Sequence, residues 1–207
     1  MKRTTAAGLA LGLWVAALQA AELRFGRFFS DRMVLQRDKP AVIRGFAEAG
    51  AAVEVAFAGQ RKTAVADAGG QWFVTLDPLP ADAEPRRLTA TAGGATVALQ
   101  DVLVGDVFWF ARQTSIDVAL GSREEGRRAA AAYGSAPRFR AVTIRTVPAA
   151  EPQSDLAEGA TAGWTPVDGA AALRLSAAAF YLGRDLSASN RVPVGIVDLN
   201  LGPAFPI

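Results

Sequence analysis

Neither cysteine nor histidine occurs anywhere in these 207 residues. Without cysteine there is no disulfide, no thiolate metal site and no sulfur nucleophile, although an exported protein would be free to form disulfides. Without histidine the chain lacks the side chain that most often serves as a general base near neutral pH. No glycine-rich phosphate loop and no Gly-x-Gly-x-x-Gly is present, so no nucleotide or other cofactor is expected. Charge of one sign is also lacking. With Lys2 and Arg3 removed, 22 basic residues fall to 20, level with the 20 acidic ones. A neutral chain has no electrostatic footprint for nucleic acid. The arginines at 86–87, 127–128, 138 and 140 therefore read as solvated faces.

What is present is the composition of a packed protein, 51% hydrophobic and 20% charged. Lys2-Arg3, an apolar run from Ala6 to Leu18 and the small pair Ala20-Ala21 form the pattern of an export signal over residues 1–20. A buried helix or an uncleaved anchor is the alternative. No later apolar stretch is long enough to span a membrane, so a periplasmic or secreted location is expected once the signal is cleaved.

From Leu23 to about Gln100 the pattern is strand-like. Val53, Val55 and Phe57 alternate on one face, and Phe73 and Val74 are expected to turn inward with them. Asp67-Ala68-Gly69-Gly70 and Gly93-Gly94 supply hairpin turns, and 78–85 reads as a polar connection. Short strands with glycine turns and no helix predict a small antiparallel β-sandwich over residues 21–100.

Near Val102 the pattern changes. The run 102–110 is almost continuously apolar, as for a strand covered on both faces. Helices are expected over 122–133 and 176–189, strands over 137–147 and 192–199, and a loop over 151–163. Strand, helix, strand, helix, strand predicts a parallel α/β sheet over residues 101–207. In such a sheet, chemistry sits where strands end and helices begin. The first such place is Gln113-Thr114-Ser115, where a hydroxyl is either a helix cap or a nucleophile. Trp72, Trp109 and Trp164 are either core residues or sugar-stacking platforms.

The string Phe29-Ser30-Asp31-Arg32-Met33-Val34-Leu35-Gln36 closely resembles the opening of the bacterial sialate O-acetylesterase family. Gly105-Asp106-Val107, Gln113 and Pro193-Val194-Gly195-Ile196 also resemble family motifs. The resemblance implies a β-sandwich leading into the first part of an SGNH-type α/β/α hydrolase domain, left incomplete. The implied activity is a carbohydrate esterase that removes O-acetyl groups from sialic acid or other acetylated sugars. The motif places Thr114 at the position of the nucleophilic serine, or Ser115 if the register slips by one. Arg112 stands where the family has glycine. Gly202 keeps one oxyanion-hole position, whereas Pro203 has no N–H to donate. The family's Asp-x-x-His has no counterpart here, so this chain alone is expected to be inactive. The alternative is a non-catalytic module that binds glycans or other partners.

Overall fold

The computed structural model describes residues 22–112 and 118–201. In chain order the first strands are β1 (Arg24–Phe25), β2 (Val34–Gln36), β3 (Ala41–Phe46) and β4 (Ala52–Phe57). They are followed by β5 (Gln60–Val65), β6 (Gln71–Leu76), β7 (Asp82–Ala92) and the long β8 (Ala95–Arg112). One antiparallel sheet has the order β1-β3-β6; facing it are β5-β4-β7 and the first part of β8. The expected β-sandwich is what forms.

Alternation decides which side chains fill it. Val53, Val55 and Phe57 of β4 are buried, together with Trp72, Val74 and Leu76 of β6. Successive strand residues point to opposite faces, so Phe73 and Val74 cannot both be inward. Phe73 is 49% exposed, which corrects that expectation. The connection expected over 78–85 is shorter than predicted, because β7 begins at Asp82. Its register with β8 breaks between Asp82 and Arg86, beside Pro85. Proline has no N–H for the ladder, and an irregularity accommodates it.

The second half follows as α1 (Glu124–Tyr133), β9 (Ser135–Arg145), β10 (Thr165–Asp168), α2 (Gly169–Ala172), α3 (Ala177–Ser189) and β11 (Val194–Asn200). Strand order is β10-β9-β11-β8; β9, β11 and β8 are parallel and β10 is antiparallel to β9. The parallel sheet agrees with the sequence pattern. Strand β10 and the short α2 were not foreseen, since four residues carry too little periodicity to register. Ser176 caps α3, its Oγ accepting from the Ala179 N–H at 3.1 Å. Phe139, Ala141, Phe180, Val194 and Ile196 form the core beneath the helices. The opposite sheet face is continuous with the sandwich core through Val142, Ile144, Trp164 and Val197.

Strand β8 belongs to both halves, and the boundary at 100/101 falls inside it. Asp101 adopts φ of 59° there, in the left-handed region that few side chains favour. Arg140 holds it, donating through Nη1 to the Asp101 carbonyl and through Nη2 to its Oδ1 at 2.8 Å. Arg140 is only 3% exposed, so it belongs to the seam between the halves and not to a solvated face. The expectation of cover on both faces holds at Val102–Val104. It fails at Trp109, which is 62% exposed and stacks on Phe28 with ring centroids 5.6 Å apart. Trp72 and Trp164 are core residues.

Candidate functional site

Strands β8 and β11 run in the same direction, so their C-terminal ends lie side by side. Asp198 is in register with Phe110, and Asn200 with Arg112. The Leu201 N–H donates to the Arg112 carbonyl at 2.9 Å. The chain thus leaves the sheet toward Gln113 and toward Gly202 from adjacent, hydrogen-bonded points. Thr114, Ser115, Gly202 and Pro203 lie outside the described residues, as do residues 1–20, where an export signal is expected. The strands that lead to the two sequence-predicted site positions are nonetheless brought together.

Between those strand ends sits a buried charge network. Arg112 donates to Asp198 through Nε at 3.0 Å to Oδ1 and through Nη2 at 3.1 Å to Oδ2. Arg112 is 5% exposed and Asp198 0%. Ser176, at the start of α3, adds its backbone N–H to Asp198 Oδ2 at 3.1 Å and its hydroxyl to Oδ1 at 3.4 Å. The two-point geometry suits a guanidinium facing a carboxylate. Removing one member of such a pair strands a buried charge and costs about 3–5 kcal/mol. Chemically, the arrangement ties up Asp198. Both of its carboxylate oxygens are occupied by these donors. The guanidinium also fills the space that a glycine at 112 would leave open.

Sequence reasoning missed Asp198 and the second role of Ser176. The available signal was a lone aspartate inside the otherwise apolar run Val194–Leu199, because a buried charge demands a partner.

The opposite end of the same strand pair is built differently. Gly105 passes so close to residue 193 that a Cβ there would lie 2.0 Å from the Pro193 carbonyl oxygen. That carbonyl accepts from the Asp106 N–H at 2.9 Å. Asp106 Oδ1 accepts from Arg37 Nε at 2.8 Å, and its Oδ2 from Asn190 Nδ2 at 3.3 Å. The hydrogen bond and charge of Asp106 push the Arg37 guanidinium further up from its ordinary value. Gln36 Oε1 accepts from the Val107 N–H at 2.9 Å, and Asp31 Oδ1 from the Gln100 N–H at 2.7 Å. Gly195 lies against Val34 and Trp164, and Ser30 Oγ accepts from the Trp164 N–H at 2.9 Å. Three of the strings that carry the resemblance, at 29–36, 105–107 and 193–196, therefore meet in one seam at the start of the parallel sheet. They are far along the strands from the candidate nucleophile.

Among the described residues no group of three or more acidic side chains is placed to hold a metal ion. No helix among them is long and apolar enough to cross a membrane.

No protein-family model matches the chain, and no curated protein matches it significantly. Among solved structures it is similar to a carbohydrate acetylesterase from Xanthomonas citri. The two are 32% identical with a TM-score of 0.78, over 88% of this chain and 41% of that one. The titin M10–obscurin-like 1 immunoglobulin complex matches 42% of this chain at 14% identity and a TM-score of 0.27, too low to bear on the fold. The present chain thus spans less than half the length of the acetylesterase, and its β-sandwich with a partial α/β domain is carbohydrate-esterase-like.

Proposed function

We propose that this is an exported, SGNH-type protein related to sialate O-acetylesterases, directed at acetylated sugars, whose own 207 residues do not complete a catalytic site. The observation that carries the reading is the meeting of the β8 and β11 ends, one leading to Thr114 and the other to Gly202. The 32% identity to a carbohydrate acetylesterase supports the substrate class. A hydroxyl nucleophile is weak at its own pKa and needs an adjacent base. The sequence has no histidine, and the carboxylate buried at these strand ends, Asp198, is committed to Arg112 and Ser176. Loss of a triad serine or histidine costs about 2 × 10⁶ in turnover, and losing both costs little more because they act as a unit.

The test is hydrolysis of 4-nitrophenyl acetate by the purified chain. The buffer rate is expected, and Thr114→Ser alone is expected to leave it unchanged. Saturable turnover abolished by Thr114→Ala would overturn the inactive reading. Turnover abolished instead by Ser115→Ala would move the nucleophile by one residue.

One observation favours the second reading, a glycan-binding module without catalysis. Trp109 is exposed on β8 and held flat against Phe28, a preformed platform for a sugar ring. Intrinsic tryptophan fluorescence that shifts on titration with acetylated oligosaccharide, and no longer does so in Trp109→Ala, is the expected result under that reading.

A further inference from the structure

Among the described residues, most sheet edges are protected against pairing with a further strand. Strand β1 is two residues long, β5 carries Arg61 and Lys62, and β10 is four residues long with a register break at Pro166. The end of β6 is tied to β5, where Gln60 exchanges hydrogen bonds with the Asp77 backbone and Lys62 pairs with the Asp77 carboxylate. Shortness, charge, proline and cover are the usual protections of a strand edge. Strand β8 has none of them past Val107. Its run Val107-Phe108-Trp109-Phe110-Ala111 contains no charge and no proline.

Hydrogen bonding fixes which backbone groups are free there. A strand residue turns its N–H and C=O to one side, and the next residue turns them to the other. The Asp106 N–H goes to the Pro193 carbonyl and the Arg112 carbonyl takes the Leu201 N–H, so the even-numbered residues face β11. The Leu103 N–H goes to the Met33 carbonyl and the Gly105 carbonyl takes the Arg37 N–H, so the odd-numbered residues face β2. Strand β2 stops at Gln36, whose side chain caps the Val107 N–H. Trp109 and Ala111 continue that edge. Both are exposed, and neither has a partner strand there among the described residues.

We infer that the window 108–112 is a self-association surface, which pairs antiparallel with the same window of a second copy about a two-fold axis at Phe110. In this register Trp109 lies opposite Ala111 of the second copy, and the two exchange N–H···O bonds; the axis repeats the exchange. The indole covers the small alanine, and Phe110 meets its own copy at the axis, an aromatic cross-strand pair of the stabilising kind. Arg112 adds no repulsion, because Asp198 answers its charge. In each copy β2 closes the window at one end and the finish of β8 closes it at the other, so the two windows overlap fully in this register alone. The pairing is continuous with the β2–β8 ladder and takes up the edge where β2 leaves it. A standard interface buries about 800 Å² per partner, more than this short window offers, so a reversible dimer with Kd on the order of 10 µM is expected.

Sedimentation equilibrium of the 207-residue chain from about 1 to 200 µM, a range that brackets that Kd, tests the pairing. Trp109→Lys places like charges across the axis, and Ala111→Pro removes a donor that the fold itself does not use. Each is expected to weaken the dimer about tenfold or more. Phe73→Ser, at an exposed site on the sandwich, should leave it unchanged. Phe110→Cys would be the only cysteine of the chain. It is expected to give a disulfide-linked dimer on mild oxidation, because opposed residues of a non-hydrogen-bonded pair lie near disulfide distance; Phe73→Cys should not. A chain that stays monomeric across the range would overturn the proposal, as would a dimer that survives both Trp109→Lys and Ala111→Pro. Association lost in Phe73→Ser would also overturn it. So would a monomer whose Trp109 amide is protected from hydrogen exchange, since another segment of the chain would then fill the edge.

Discussion

The two ends of the paired strands β8 and β11 are built by different rules. At their start, Gly105 packs closely on Pro193, Gly105 and Asp106 accept hydrogen bonds from Arg37, and Gly195 lies against Val34. At their finish, Arg112, Asp198 and Ser176 form an ion network with almost no exposed surface. The strings that resemble a known family lie mostly at the start, and the departures from it lie at the finish. A glycine that admits another backbone, or an aspartate that ties two segments together, is needed for the fold whether or not any reaction occurs. The start of these strands therefore testifies to architecture, and only the finish bears on chemistry.

The comparison is broken most severely at Asp198. Asp198→Ala should lower unfolding free energy by about 3–5 kcal/mol, because it leaves the buried Arg112 charge without its counterion. The double change Arg112→Met, Asp198→Leu should recover most of that loss, since a well-packed apolar pair is often no worse than a buried ion pair. Urea denaturation of the three chains decides the matter. A double variant as unstable as the single one would mean that the network is needed for shape as well as for charge balance.

Next in size is the start of the strands. Gly105→Ala would press a methyl group to 2.0 Å from the Pro193 carbonyl and 2.8 Å from the Pro193 ring carbon. Backbone cannot swing aside as a side chain can, so the cost should be about 2–3 kcal/mol. Gly69→Ala is the contrast: the Cβ would come no closer than 3.3 Å, to the Asp67 carboxylate in an exposed turn. A loss under about 1 kcal/mol is expected there. Similar losses at the two glycines, measured by thermal melting, would remove the seam's special status.

Much of this was legible in advance. Alternation in Val53-Val55-Phe57, the two glycine turns and the apolar runs at 102–110 and 192–199 led directly to β4, the hairpins, β8 and β11, because period and turn chemistry are local properties. The relation between 112 and 198 was not legible, because nothing local says which buried charge faces which. Arg140 was misread for the same reason: an arginine in an alternating strand looks solvated until the bend at Asp101 is placed beside it. Trp109 was misread in the opposite sense. An apolar run predicts cover, yet beyond Val107 the outer edge of β8 has no partner strand among the described residues.

A smaller effect than at Gly105 is expected at Asp155, in the 151–163 segment that folds back on the first half. Its carboxylate accepts from Arg24 Nη1 at 2.7 Å and from the backbone N–H groups of Arg27 and Leu156, each at 2.9 Å. Burial works against the charge of Asp155, but the Arg24 hydrogen bond and the two N–H donors outweigh it and hold its pKa below the ordinary carboxylate value. A carboxyl group whose pKa is depressed by folding contributes stability above its unfolded value, near 4, and loses it as pH falls through the folded value. Asp155→Asn should therefore cost about 1–2 kcal/mol at pH 7, in keeping with a hydrogen-bonded charge whose arginine partners are partly exposed. The gap between the variant and the parent chain should stay constant from pH 7 to about pH 5 and narrow below about pH 4. A gap that instead widens on acidification would show that Asp155 is protonated more readily in the folded chain than in the unfolded one, and that this segment is held to the sandwich by packing alone.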